Sequence, residues 1–417
     1  MKYFRFFRLL ILVSMPLIIF GHRRCGAQSI AGSAYTVFGI GDLLPRQSAV
    51  NKGLGGSGIG LRNDFFINLQ NPASYTAISS PVTQLFEMGA LVEFDRFRTT
   101  SSEESSASGG IGNINLWFRL SPKWATTVGF APYSKVDYDI TTQRNLGALT
   151  NQGIINYQGS GGFNQVYLGN AFQVTKNWSV GVNSALIFGS ILKTELIESL
   201  ELANNFWVEN QLYMNKFYFD FGTQYSIFLA KSNLTLGATF AYESEFSVTN
   251  ETTLFESRLN TISGETTTED NYLLPLSAGF GMSFNTSRST ISADVKYQNW
   301  SSASFSDDHG FRDTFHYALG YEYKTNFNSD HNFDLVNLRS GVFYKDNYLD
   351  LSNGTFSEWG FNIGVGIPVQ GNKTSINLNY TYHQRGTTEN GLIEETVSQI
   401  NFDVVIRDVW FIRRKFD

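Results

Sequence analysis

The sequence predicts an all-β protein: an antiparallel transmembrane β-barrel of about 14 strands with an N-terminal plug, or hatch, inside the lumen. Three observations lead there. The chain opens with an export signal, its later part alternates apolar and polar residues over long runs, and its connections alternate between tight and longer.

The N-terminus carries Lys2, Arg5 and Arg8 ahead of an apolar run from Leu9 to Phe20. That run suits a signal-peptide core and is too short for a stop-transfer helix. Gly26, Ala27 and Gln28 supply small residues for cleavage, so residues 1–27 read as a signal peptide and the mature chain starts near Gln28. The single cysteine, Cys25, follows the basic His22, Arg23 and Arg24, where a lipobox would need small apolar residues. It is expected to leave with the signal, which excludes structural disulfides and cysteine metal sites.

Charged residues are 16% of the chain against about 25% in ordinary globular domains, while aromatics reach 15%, with 36 Phe and 20 Tyr. A net charge of −6 gives no basic footprint for nucleic acid, and no later run is long and apolar enough for a transmembrane helix. An exported, aromatic-rich and helix-poor chain points to the outer membrane of a Gram-negative-type cell.

Period-2 patterning supports strands with one apolar and one polar face. Ile114, Leu116, Phe118 and Leu120 alternate with Asn113, Asn115 and Arg119. Ile291, Ala293, Val295 and Tyr297 oppose Ser292, Asp294, Lys296 and Gln298, and Phe361 to Val369 repeats the pattern. Many runs reach the length needed to cross hydrocarbon at a tilt. The connections SPKW (121–124), TKNW (175–178), AKSN (230–233), TSRS (286–289) and QGNK (370–373) are tight turns. Longer polar joins are expected at 100–110, 141–162, 198–209, 258–269 and 349–355, with 306–310 hardly longer than a turn. Tight turns on the periplasmic side and longer loops outside are the asymmetry of outer-membrane barrels. The strands so defined occupy residues 81–417, with both chain ends on the periplasmic side. The tenth-to-eleventh turn, TNFNSDHNF, is longer than its fellows, and Trp410, Phe411 and Phe416 suit an interfacial belt. An open edge in hydrocarbon would leave backbone groups unpaired at several kcal/mol each, so the last strand must pair with the first.

Residues 28–80 are used by no strand. They hold Gly53, Gly55, Gly56 and Gly58, then Asn71, Pro72 and Ala73, among apolar residues such as Leu54, Leu61, Phe65 and Phe66 that need burial. Folding inside the barrel is the simplest solution. GLGGSGIGL (53–61), an Asn-Pro-Ala at 71–73 and a fourteen-stranded barrel together resemble the FadL/TodX family of outer-membrane hydrophobic-compound transporters. The resemblance implies that the N-terminal segment is a hatch and that the third barrel strand is kinked, opening a lateral window to the bilayer. Gly129 and Pro132 lie mid-strand there, where proline withdraws a donor and glycine permits a bulge. A bulge at the rim without function is the alternative. The resemblance implies passive uptake of a hydrophobic or amphipathic small molecule or fatty acid, in contact with outer-membrane lipids. The chain departs from that family in its shorter loops. Its layout is also similar to the PorV-type barrels of the same superfamily, which carry another outer-membrane or secreted protein.

Chemistry-bearing clusters are few. SDDHG (306–310) sets two carboxylates beside His309, but neighbouring strand residues point to opposite faces. His316 and His383 read as hydrogen-bonded lumen residues, the histidines lack metal spacing, and SSEESS (101–106) reads as a solvated tip. The GxGxxG-like glycines follow no strand-then-helix pattern, so no nucleotide site is expected. No catalytic residue, metal or cofactor is expected.

Overall fold

The computed structural model describes residues 32–145, 152–198, 206–256, 260–303, 310–325, 336–352, 354–369 and 373–410. Residues 1–27, where a signal peptide is expected, His309, most of the tenth-to-eleventh turn, Phe411 and Phe416 lie outside the described residues.

The N-terminal segment holds β1 (Asp42–Leu43), a short helix α1 (Ala49–Gly53) and a 3-10 turn, Pro72–Ala77. The barrel begins with β2 (Gln84–Arg98), β3 (Glu103–Ser121), β4 (Trp124–Pro132) continued by β5 (Ser134–Asn145), β6 (Gln152–Gln173), β7 (Trp178–Glu198) and β8 (Phe206–Phe228). Next come β9 (Ser232–Ala241) continued by β10 (Ser244–Glu256), β11 (Asn260–Leu274) continued by β12 (Ser277–Thr286), and β13 (Ser289–Gln298). After the short β14 (Gly310–Phe311) follow β15 (Thr314–Lys324), β16 (Asn337–Asp346), the short β17 (Leu349–Asp350), β18 (Ser357–Val369), β19 (Thr374–Arg385) and β20 (Glu394–Asp408). Counting each continued pair once gives a closed antiparallel barrel of 14 strands. Closure is made by β2 on β20, from Gln84 opposite Asp408 to Arg98 opposite Glu394, so first and last strands share a rim.

Alternation sets the two faces. Phe280, Met282 and Phe284 of β12 are exposed, as are Phe315, Tyr317, Leu319 and Tyr321 of β15. Gly279, Gly281 and Ser283 point inward between the first set, and His316, Ala318, Gly320 and Glu322 between the second. Such a continuous apolar exterior would be intolerable in water; it is the lipid-facing band of an outer-membrane β-barrel.

One expectation is corrected. Most of the polar stretches read as loops are strand: Glu103–Gly110 belongs to β3, and β5 with β6 takes most of 141–162. Likewise β7 runs to Glu198, β8 starts at Phe206, and β11 covers residues from Asn260. Beyond the hydrocarbon a ladder needs no apolar face, so hydrogen bonding continues where the alternation signal has faded. Within 101–106, Glu103 and Glu104 are therefore strand residues, and Glu103 pairs with Arg96 at 3.6 Å.

Candidate lateral window and lumen site

The N-terminal segment packs against inward-facing wall residues. Val50, Leu54, Leu61, Phe66, Ile67, Leu69 and Tyr75 are each almost fully buried, in one cluster with Leu85, Trp117 and Tyr167 of the wall. Burial of each large side chain is worth about 1.5–3 kcal/mol relative to exposure. Ser48 caps α1 through the Asn51 amide. The chain then reverses through Gly55 (φ +70°) and Gly56 (φ +84°), in the left-handed region that glycine occupies without strain. Space matters as much as angle: a Cβ on Gly55 would lie 2.6 Å from the Val342 carbonyl oxygen. Gly53 lies against Arg339, and the amides of Gly58 and Ile59 donate to Asp294 Oδ2 at 2.6 and 2.8 Å.

Asn71 ties the two motifs together. Its Oδ1 accepts from the Ala73 amide at 3.0 Å and caps the turn that Pro72 begins. Its Nδ2 donates to the Ile59 carbonyl at 2.8 Å and to Thr223 of β8 at 3.1 Å. Gln224 Nε2 reaches the same Ile59 carbonyl at 2.9 Å. Arg62 has no carboxylate partner among these bonds. It donates to Ser179 Oγ, Gln224 Oε1, Thr76 Oγ1 and the Ala73 carbonyl, and burial lowers its pKa to about 10. Arg46 pairs with Asp220; burial acts to lower the guanidinium's pKa, but the Asp220 charge and hydrogen bond together with Tyr75 and Tyr167 raise it overall. Burial lowers the pKa of Lys52, partly offset by Asp403 and Glu93, while its ammonium donates to Asn401 at 2.6 Å.

The ladder opens at the third barrel strand. β4 pairs with β3 from Ser121 opposite Trp124 up to Ile114 opposite Phe130. Among the described residues, β5 has no ladder with β3; its edge pairs with β1 instead, Asp42 opposite Lys135 and Leu43 opposite Ser134. The Leu44 amide extends that contact to the Tyr133 carbonyl at 2.9 Å. On the other side, β6 follows the bend through Gly161 (φ +103°) and Gly162 (φ +143°). Lys135 Nζ crosses the gap to Ser108 Oγ of β3 at 3.1 Å. Pro132 is thus the last residue of β4 before the break. Gly129 lies in regular pairing, opposite Asn115 and Tyr167, where a Cβ would stand 2.5 Å from the Tyr167 ring.

Behind the gap is a cavity of about 410 Å³, bordered by Gly55, Gly56, Pro132 and Tyr133 among others. One level of its wall is a row of ionisable residues on successive strands: Lys296, His316, Lys345, Glu358, Arg385 and Glu395. Arg385 holds Asp42 of β1 at 2.7 and 2.9 Å and Glu395 at 2.5 Å. His383 Nδ1 meets Glu358 at 2.7 Å. A second cavity of about 500 Å³ lies beneath the segment at the tight-turn mouth, beside Arg62, Trp117 and Arg119.

The sequence matches the model of one family, BamG, over residues 8–417. The chain belongs to the BamG family. Comparison with curated proteins yields no match. Solved structures of similar fold include the toluene transporter TbuX of Ralstonia pickettii (14% identity, TM-score 0.60, 87% of this chain and 99% of that one). A FadL homologue of Pseudomonas aeruginosa gives 12% identity and a TM-score of 0.61, over 88% of this chain and 99% of that one. The toluene transporter TodX of Pseudomonas putida gives 15% identity and a TM-score of 0.56, over 89% and 100%. At such identities the likeness is one of fold.

In this BamG-family chain the glycine-rich motif and the Asn-Pro-Ala meet at the Ile59 carbonyl, whereas Gly129 stays apart from both. Residues unremarked in the sequence complete the arrangement. Wall glycines admit the segment's backbone: a Cβ on Gly181 would meet Pro72, and one on Gly320 would meet Leu54. Gly161 and Gly162 sit in the stretch GSGG, whose doubled glycines mark the bend but look like loop when no alternation surrounds them. Arg385 and Asp42 are 343 positions apart, and no local pattern announces their pairing.

Proposed function

We propose that this barrel is an outer-membrane channel for passive uptake of hydrophobic or amphipathic small molecules, which leave the lumen sideways between β3 and β5. The lapse of direct β3–β5 pairing after Pro132 supports this reading: among the described residues that edge of β5 is covered by the two-residue β1 of the N-terminal segment rather than by a barrel strand. Residues 28–80 act as the hatch, held by Asn71, Pro72 and Ala73 and by the Gly53–Gly58 turn, with Pro132 shaping the window and Gly129 fitting the strand below it to Tyr167. Solute follows its gradient, because the barrel itself offers no energy source. The row from Lys296 to Glu395 favours the amphipathic end of the class, with a polar head facing the charges and an apolar part facing the gap. The toluene-transporter names of the solved relatives are consistent with such cargo.

The test links the two sides of the gap. Ser108→Cys and Lys135→Cys replace the pair whose side chains already meet across it, and a bifunctional thiol reagent joins them. Uptake of a fluorescent amphiphile into proteoliposomes should fall on linking and return when a cleavable linker is cut. Unchanged uptake through the linked barrel would remove the window from the mechanism.

A second reading, a scaffold that holds a partner protein as PorV-type barrels do, is favoured by the ion pairs Arg385–Asp42 and Arg46–Asp220, which fasten the segment to the wall. A stoichiometric protein partner recovered in gentle detergent, with no uptake in proteoliposomes, would decide for it.

A further inference from the structure

The tight turns share a property that neither the fold nor the uptake reading requires. Each of five carries one basic residue and no acidic one: Lys123, Lys176, Lys231, Arg288 and Lys373. All five are exposed, and none enters an ion pair among the described residues. They lie between β3 and β4, β6 and β7, β8 and β9, β12 and β13, and β18 and β19, and so recur around the rim rather than gathering on one arc. The opposite rim differs: its described joins at 99–102, 347–352 with 354–356, and 386–393 contain no Lys or Arg, and Arg312, in the join between β13 and β15, is half-buried, donating to the Asn347 and Phe356 carbonyls and facing Asp346 at 3.9 Å.

Just inside the basic ring is an aromatic belt facing outward. Trp124 is 40% exposed and stacks on Phe172 with centroids 5.4 Å apart. Trp178 lies opposite Tyr225 in the ladder, and Phe228, Phe284 and Trp410 are also exposed. Tryptophan and tyrosine belts mark the level of the lipid headgroups. Cations placed one turn further out stand where the phosphates of that leaflet lie, and anionic lipid surfaces attract basic residues so placed.

We propose that these five residues form a collar that docks anionic phospholipid headgroups of the adjoining leaflet. A protein partner would engage one arc of the rim, whereas a leaflet touches the whole circumference, which is how the charges are distributed. The collar fixes the barrel's depth and draws a shell of anionic lipid around this mouth.

The experiment uses the whole protein in mixed micelles containing equal amounts of phosphatidylglycerol and phosphatidylcholine, with bound lipids counted by native mass spectrometry. Wild type should retain phosphatidylglycerol over phosphatidylcholine by about tenfold, and high salt should reduce that preference. The variant Lys123→Gln, Lys176→Gln, Lys231→Gln, Arg288→Gln, Lys373→Gln should bind both lipids nearly equally while keeping the heat-modifiable band of a folded barrel. Should it not fold, the subsets K123Q/K176Q/K231Q and R288Q/K373Q serve, each expected to lose part of the preference. A wild type without preference, or a variant that keeps it, overturns the proposal. So does a soluble protein retained by wild type and lost from the variant without any lipid preference.

Discussion

Replacing Asn71 separates two roles that its position combines. The side chain is fully buried, caps the Pro72–Ala77 turn through Oδ1, and pins that turn to Ile59 and Thr223 through Nδ2. Asn71→Ala removes a cap worth about 1 kcal/mol and two hydrogen bonds of about 0.5–1.5 kcal/mol each. The Ile59 carbonyl keeps its bond from Gln224, so it is not orphaned and the loss stays near the sum, about 2–4 kcal/mol. Local opening of the segment should therefore rise by roughly 30- to 1,000-fold, at about 1.4 kcal/mol per factor of ten. Hydrogen exchange of the amides around Gly58 and Ala73 reads this opening directly. Asn71→Asp sharpens the test. Aspartate caps as well as asparagine, yet here it would direct a carboxylate at two carbonyl oxygens. If pinning dominates, Asn71→Asp opens the segment more than Asn71→Ala does; if capping is the whole role, the aspartate variant behaves like wild type. Wild-type exchange in Asn71→Asp would refute the reasoning that Asn71 joins the two motifs.

Three further outcomes follow from named contacts. Gly129→Ala pushes a methyl into the Tyr167 ring and disturbs the Tyr167–Asn115 bond of 2.5 Å, so it should lower barrel stability by about 1–3 kcal/mol in urea unfolding from detergent. Arg385→Ala leaves Asp42 and the buried Glu395 unpaired, a loss of about 3–5 kcal/mol. It should release β1, read as faster exchange of the Leu44 amide, and adding Glu395→Gln should restore part of the protection. Gly341→Val places a side chain where Leu54 and Gly55 pass, and proteolytic cutting within residues 53–61 should increase while the barrel stays closed.

Sequence patterning alone determined the barrel: the closing pair of first and last strands, and tight turns on one rim. Those features follow from the period-2 spacing of side chains and from the ban on open edges in hydrocarbon, and both are local or topological. It also marked Pro132, because a missing donor shows in one residue. The extent of the strands beyond the membrane was not legible, since polar ribbon and polar loop have the same composition. Gly129 illustrates the same limit. A glycine in a strand signals either a bulge or a close neighbour, and only the position of Tyr167 shows that here it is the neighbour. Tertiary structure alone decided that β1 takes the edge β3 leaves on β5, that Arg385 reaches Asp42, and that wall glycines face the segment's backbone. These are contacts between residues far apart in the chain, set by which wall position the segment passes. Alternation tells a residue to face inward but not what it will meet there.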